Sequence, residues 1–484
     1  MNINFAAISN VVGVVLITVG ALMLTGIPFS IYYDSNDIGA LLQSALITMG
    51  VGGLSLWWKF ATGRSVGKRE GYLIVAICWL SMVSFGSLPY LLSGTVDGVT
   101  DAFFETISGM TTTGASIMED IEALPAGILY WRSLSQWIGG MGIIVLTVAI
   151  FPLLGIGGVE LFGAEAPGPT ADKIHPKIRD TAKALWQIYV GLTILLMFIL
   201  WAVGMTFYDA INHALTTMAT GGFSTKNASM MAYDLPQFQY PIIIFMILAG
   251  TNYTVIYLAL TRKWKDVWRN EELKLYVTLI ALLTLVITTV VFFVTDLGIE
   301  KAFRDSIFQV ASLITTTGFV SADYTQWHPA ITMLLLGVIF TGACAGSTSG
   351  GIKIIRHLTF FKNMKREFQR LLHPRAILPL KINGEIVPQP VINNITIFLL
   401  FYLGLFAVGC IVVSILGLDF TTAIGAVATS ISNVGPGVGK VGPVDNFAWL
   451  SDSVKWVLMF LMLLGRLELF TILILFTPYF WRGN

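Results

Sequence analysis

The stretch ISGMTTTGAS, residues 107–116, sets Thr111, Thr112, Thr113 and Gly114 inside a chain that is otherwise strongly apolar. The same four letters return in SLITTTGFVS, at Thr315, Thr316, Thr317 and Gly318. Each run ends a short apolar piece that opens with an aspartate, DAFFETISGMTT from Asp101 and DSIFQVASLITT from Asp305. A third such piece, DAINHALTTMAT, starts at Asp209 and leads to Thr220, Gly221 and Gly222. In all three, the final glycine stands 13 residues after the aspartate. A weaker fourth copy, TAIGAVATSISNVGPG, has Thr422 13 residues before Gly435, with Asn433 and Val434 ahead of that glycine. Asp and Thr are preferred N-caps because their side-chain oxygens accept a bond from an orphan amide. Each piece is therefore expected to be a helix begun at that residue and stopped by the Thr/Gly run. With about 12 residues, such a helix reaches only ~18 Å, short of the ~30 Å hydrocarbon core of a bilayer.

The membrane context rests on composition. Of 484 residues, 55% are hydrophobic and 12% charged, and the mean hydropathy is +0.77; a soluble protein carries about 25% charged residues. Ten long apolar segments surround the short pieces, near 5–31, 38–58, 71–92, 127–158, 184–205, 239–260, 275–295, 330–360, 391–418 and 453–477. The chain thus reads as an all-α polytopic membrane protein. Of 29 Lys and Arg, 21 fall in the stretches 59–70, 160–186, 261–274 and 352–381, which the positive-inside rule places in the cytoplasm together with both termini. Trp57, Trp58, Trp131, Trp186 and Trp481 at segment ends suit interfacial belts. The first apolar run lacks a basic n-region and is too long for a cleaved signal, so it reads as a retained helix. Cys78, Cys344 and Cys410 form no spaced framework for disulfides or zinc.

The glycines of the four copies are 108, 96 and 117 residues apart, and a period of about a hundred residues outranks any single motif. Each unit reads as long helix, short re-entrant helix, extended Thr/Gly segment, long helix. One such run alone would pass for an ordinary loop. Four in one register, between hydrophobic pairs, imply a pseudo-fourfold ring. Non-helical backbone at membrane depth survives only when buried in protein or lining a water-filled cavity. Glycine there lets successive carbonyls turn the same way, and rings of carbonyls can replace a cation's hydration shell. Short helices aiming their C-terminal ends at the axis add partial negative charge. These features favour a dehydrated monovalent cation.

Two further features stand out. GACAGSTSGG, residues 342–351, interrupts the eighth long segment with ten small residues. It includes Gly342, Gly346, Ser347, Thr348, Ser349, Gly350 and Gly351, and so many glycines cannot hold a stable helix. From the residues alone, it is either a mobile plug below the filter or a tight-packing kink of small residues. Arg466 lies mid-way along the last apolar segment, where an arginine costs roughly 2.5–3.5 kcal/mol on the insertion scale. Glu468, two positions on, faces another side of a helix, so carbonyls or hydroxyls of residues 342–351 are the expected partners. The basic run KNMKREFQRLLHPR, within 352–381, satisfies the positive-inside rule and also offers a docking surface for a cytosolic partner or anionic lipid.

The four segments, GACAGSTSGGIK (342–353), HPRA (373–376), NVGPGVG (433–439) and GRLELF (465–470) together resemble the Trk/Ktr/HKT superfamily of potassium transporters, and specifically its TrkH-type bacterial subunits. The resemblance covers essentially the whole length. It implies four helix–pore loop–helix repeats around one central pore, here 67–160, 161–265, 266–385 and 386–484, preceded by two extra transmembrane helices in 1–66. It also implies a bacterial inner-membrane location, a homodimer, and a cytosolic TrkA-like partner whose RCK domains bind the nucleotide. K+ is then the transported ion, and Gly114, Gly222, Gly318 and Gly435 are the key filter glycines. In such proteins a first-position glycine accompanies potassium permeation, whereas serine accompanies sodium preference in some plant members. The TGG and NVG segments depart from TTTG and leave the sodium/potassium ratio open. Residues 342–351 match the family's intramembrane gating loop.

Other classes fit less well. An intramembrane hydrolase would need Ser347 or Ser349 beside one of five histidines, but the stretch does not match G-x-S-x-G. Transporters with inverted repeats use paired carboxylates or broken helices at the midplane, whereas these repeats all have one hand. Coupling to Na+ or H+, or a filter permeable to both K+ and Na+, stays open.

Overall fold

The computed structural model describes residues 4–57, 68–142 and 178–482. Among these, every element is helical apart from a hairpin pairing Lys381–Ile382 with Glu385–Ile386. Its turn residues Asn383 and Gly384 both have positive φ, the geometry of a tight type I′ turn. Six described helices are long and apolar enough to cross a membrane, and two sharply bent pairs raise the number to eight. The chain is multi-pass.

At the N-terminus, Phe5–Met23 continues through a single 3-10 turn into Ile27–Tyr32 and packs along Ile38–Trp57. Gly13 and Gly52 mark the closest approach, since a Cβ on either would stand 2.8 Å from the other's carbonyl oxygen. Lipid supplies no hydrophobic drive between helices, so close backbone contact of this kind is what holds them. The pair is tied to the rest of the molecule by Asp37, whose carboxylate accepts from the Ile128 amide at 2.8 Å.

Three of the long apolar segments are broken, two of them unexpectedly and the third at the small-residue run expected to interrupt it. Residues 239–260 form Pro236–Ala249 and Tyr253–Leu260, bent by 105°, with the Asn252 side chain capping the second helix. Residues 453–477 bend by 114° after Arg466, where Glu468 takes φ +61°. Residues 330–360 split into Pro329–Ile339 and Ile354–Leu372 around the small-residue run. Of 127–158, Ala126–Trp137 and a π-turn at Ile138–Gly142 are seen, and the remainder lies outside the described residues, as do Trp58 and most of the basic stretches 59–70 and 160–186. Trp131 sits in no interfacial belt. Its helix is buried along most of its length, and the indole donates to Gly86 O at 3.0 Å.

The four short pieces are helices Val99–Met110, Phe207–Met218, Ile299–Ile314 and Phe420–Ser432. They end where the Thr/Gly and Asn/Val/Gly runs begin. The expected caps are wrong, however. The N-caps are Gly98, Thr206, Gly298 and Asp419, so Asp101, Asp209, Asp305 and Thr422 lie inside the helices. All four serve instead to tie their helix to the chain around it. Asp101 pairs with Lys455 at 2.6 Å, Asp209 accepts from Thr225 Oγ1 at 2.5 Å, Asp305 accepts from Ser321 Oγ at 3.4 Å, and Thr422 Oγ1 accepts from the Lys440 amide at 3.2 Å.

Replacing Gly52 with leucine should force the N-terminal pair apart, a cost of about 1–3 kcal/mol for an overpacked contact. Thermal unfolding of the detergent-purified protein should show a lower midpoint. An unchanged midpoint would contradict the close contact.

Candidate functional site

All four short helices end with one backbone pattern. The residue two before the final glycine is left-handed, with φ +55° at Thr112, +53° at Thr220, +56° at Thr316 and +56° at Asn433. The glycine itself is left-handed too, with φ between +76° and +91° at Gly114, Gly222, Gly318 and Gly435. Between them, the amides of Thr113, Gly221, Thr317 and Val434 donate to the carbonyls of Ser108, Thr216, Ser312 and Thr429 at 2.8–3.0 Å. The left-handed residue's amide reaches back three positions in every copy. This bond pair is the Schellman ending, which ordinarily takes Gly or Asn at its left-handed position. Asn433 suits it. A β-branched Thr does not, and strain of about 1–3 kcal/mol at each marks a functional segment.

The segments close on one another. A Cβ on Gly114 would overlap the carbonyl oxygen of Gly221, one on Gly222 that of Thr317, and one on Gly318 that of Val434. A Cβ on Gly435 would lie 2.7 Å from Thr113 O. The contacts run from first segment to second, third and fourth, then back to the first. One cavity is lined by all four glycines, with Arg132, Lys226 and Asp445 further out. Among the described residues, the carbonyls of Thr113, Thr317 and Val434 accept no hydrogen bond, although their residues are buried. Buried carbonyls are nearly always paired, so three unpaired carbonyls in one ring point to a ligand with positive character. The fourth, Gly221 O, accepts from Gln136 Nε2 at 2.6 Å.

Behind the ring, the residue nine before each glycine is Glu105, His213, Gln309 or Ala426. The first three each grip a serine just beyond the glycine, namely Ser116 at 3.1 Å, Ser224 at 3.0 Å and Ser321 at 3.4 Å. Glu105 also meets Arg132 at 2.6 Å, and both are fully buried. Arg132 reaches Ser224 O at 3.0 Å and stacks on Phe223. Ala426 has no such reach, and Tyr324 OH holds the fourth segment instead by donating to Gly437 O at 2.7 Å. The polar register at glycine minus nine is visible in the sequence once the four glycines are aligned. Arg132 and Gln136 carry no comparable repeat signal.

The small-residue run lies against the ring's other face. Thr348 Oγ1 donates to Met218 O at 3.0 Å and meets Thr220 Oγ1 at 3.3 Å. The Gly350 amide donates to Thr316 Oγ1 at 2.7 Å, and a Cβ on Gly350 would overlap Ser432 O beside Asn433. The run therefore touches the left-handed residue of the second and third segments and abuts that of the fourth. Gly342, Gly346 and Gly351 all have positive φ. Four anchors surround the run. Gly250 O accepts from Cys344, Glu272 accepts from Ala345 and Ile355, Lys353 donates to Ser349, and Arg466 donates to Thr348 O at 2.7 Å. Ser347 and Ser349 bond to each other at 2.8 Å, and none of their recorded partners is a histidine.

Arg466 is not mid-span. It ends its helix at the bend, where the backbone dipole favours a cation, and it also reaches Gly139 O at 2.6 Å and Gly140 O at 2.7 Å. Glu468 pairs with Arg356, itself stacked on Phe398. Of the eight basic residues in 352–381, Lys353 and Arg356 are thus turned inward, which narrows the basic surface on Ile354–Leu372.

Spans, broken helices and a closed ring of glycine-ended segments describe a multi-pass membrane protein, and comparison with known proteins gives it a family. The TrkH family, described as "Cation transport protein", matches residues 39–482. The Trk system potassium uptake protein TrkH of Salmonella typhimurium is 40% identical, over 99% of this chain and 100% of its own length. The Escherichia coli TrkH matches at 40% with the same coverage, and TrkI of Halomonas elongata at 35% over 99% and 97%. The crystal structure of the potassium transporter TrkH from Vibrio parahaemolyticus superposes with a TM-score of 0.89 at 37% identity, covering 99% of this chain and 100% of that one. The chain belongs to the TrkH family of cation transport proteins.

Substituting Glu105 with alanine should strand Arg132 as an uncompensated buried charge and cost about 3–5 kcal/mol. A large drop in the thermal midpoint is expected, and an apolar replacement of both partners should cost far less. Equal losses in the two variants would refute this account of the pair.

Proposed function

We propose that this chain is the ion-conducting subunit of a potassium uptake system. The reading is carried by one observation, the closed ring in which three buried carbonyls lack a donor. Thr111, Thr112, Thr113 and Gly114, Thr220, Gly221 and Gly222, Thr315, Thr316, Thr317 and Gly318, and Asn433, Val434 and Gly435 form the selectivity filter. Carbonyl oxygens of these segments replace the hydration shell of a potassium ion. The four units fall near 67–160, 161–265, 266–385 and 386–484 around one axis, with 1–66 outside the ring. Supporting the choice of ion, the relatives' own names call them potassium uptake proteins.

Residues 342–351 act as the gate. Ser349 and Thr348 are held in place by Lys353 and Arg466, and the run blocks the path directly beneath the ring. Arg466 adds a fixed positive charge on that path, an electrostatic barrier while the run is in place. The family lies in the bacterial inner membrane on this reading, with the basic stretches inside. The relatives are parts of a "Trk system" by name, which supports a further component; on this reading that component is a cytosolic nucleotide-binding subunit docked near Ile354–Leu372, and a second copy of this chain lies alongside.

Expression in a bacterial host lacking potassium uptake should restore growth at low potassium. Failure with the protein present in the membrane would overturn the assignment. Gly318→Ser places a Cβ against Val434 O at a left-handed residue, so discrimination against sodium should fall by about tenfold, equal to about 1.4 kcal/mol. An unchanged ion preference would remove Gly318 from the filter. Arg466→Ala should raise flux in proteoliposomes, and flux that is unaltered or lower in a folded protein would refute the gate.

A further inference from the structure

The four segments are stiffened in different ways, and the second lacks the device that serves the first and third. In those two, a hydroxyl three before the glycine anchors on its helix and grips the hydroxyl one before the glycine. Thr111 Oγ1 donates to Ile107 O at 2.7 Å and meets Thr113 Oγ1 at 2.8 Å. Thr315 Oγ1 donates to Ala311 O at 2.6 Å and meets Thr317 Oγ1 at 2.7 Å. The braced residue is the one whose carbonyl oxygen approaches the glycine of the preceding segment in the ring, Thr113 O towards Gly435 and Thr317 O towards Gly222. In the fourth segment, Asn433 Nδ2 donates to Thr113 Oγ1 at 3.0 Å and Met462 O at 2.9 Å, and β-branched Val434 is stiff by itself. In the second segment, the two positions are Ala219 and Gly221. Neither carries a hydroxyl, and the pair Gly221-Gly222 has the greatest backbone freedom of any point in the ring.

We propose that Gln136 is the positioning residue that sets ion specificity at the second segment, replacing the threonine brace used by the first and third. Its side chain is fully buried on Ala126–Trp137. Nε2 donates to Gly221 O at 2.6 Å, and Oε1 accepts from the Phe223 amide at 3.0 Å. The two bonds bracket Gly222, at the carbonyl before it and at the amide after it. They also fix the amide's own orientation, because one contact requires a donor and the other an acceptor. A Cβ at residue 221 would overlap the Gln136 amide, so the departure from TTTG to TGG is what admits the clamp. Arg132, one turn earlier on the same helix, holds Ser224 O. One wall of the ring is therefore positioned by a helix from the neighbouring unit. The ring is also chemically uneven, with three carbonyls free of protein donors and one already accepting a hydrogen bond. That tethered carbonyl keeps its distance from the axis, where a free peptide could turn inward to suit a smaller ion.

The inference rests on the filter reading above, and rubidium uptake into proteoliposomes, competed by potassium or sodium, separates the two. A wild-type protein with no preference for potassium overturns the filter and this inference together. If the wild type prefers potassium, Gln136→Ala and Gln136→Met should each lose about tenfold of that preference while still passing rubidium. The methionine is close in size, yet it cannot donate to Gly221 O, so it decides the matter if the alanine variant fails to fold. The combination Gln136→Ala, Ala219→Thr and Gly221→Thr rebuilds TTTG in the second segment and should recover most of the preference. A wild-type ratio in Gln136→Met overturns the proposal. So does a triple variant no more selective than Gln136→Ala.

Discussion

The contact on which this structure depends is the approach of one segment's carbonyl oxygen to the next segment's glycine. It occurs at all four junctions, and at three of them a Cβ would overlap the oxygen outright. No side chain can stand at Gly114, Gly222, Gly318 or Gly435 without opening the ring. The left-handed φ at each glycine is a second, independent reason for the same residue. A closed ring also demands that four helix ends arrive at one depth. The shared Schellman ending achieves that, because it fixes where each chain leaves its helix relative to its glycine.

Holding that ring requires strain to be offset. Three threonines in left-handed backbone are tolerated because bonds on every side determine their position. Thr316 accepts from the Gly350 amide, Thr220 bonds to Ala219 O and Thr348, and hydroxyl braces flank Thr112 and Thr316. The small-residue run is thereby coupled to the ring itself. On the proposed reading, withdrawing the run removes bonds from the second and third segments at the moment the path opens. The buried Glu105–Arg132 pair plays the matching role on the other face, linking the first and second segments through Ser116 and Ser224.

Much of this is legible in the residues alone. The fixed interval to each glycine, the shortness of the four pieces and the Gly-rich break in the eighth segment all follow from residue spacing and helix propensity. The helix starts did not, because the aspartates at constant spacing hold the short helices to neighbouring elements rather than capping them. The bends at 250–252 and 467–468 were hidden because hydropathy does not register a change of direction inside an apolar run. Trp131 misled for a related reason, since an aromatic near a segment end has the same composition whether it faces lipid or the interior. Gln136 and the hold of Arg132 on Ser224 were missed because those partners are backbone atoms some 85 to 92 residues away, and backbone leaves no trace in residue type. The one available trace was negative, the glycine at 221 where a threonine was expected.

The central claim is that a potassium-sized cation binds at the ring formed by these four segments. The most direct test is a crystal structure of the purified protein in rubidium, with anomalous scattering used to locate the ion. The account predicts rubidium on the axis of the ring, within coordination distance of the Thr113, Thr317 and Val434 carbonyls. Rubidium bound elsewhere in a protein that still transports it, with none at the ring, would contradict the account.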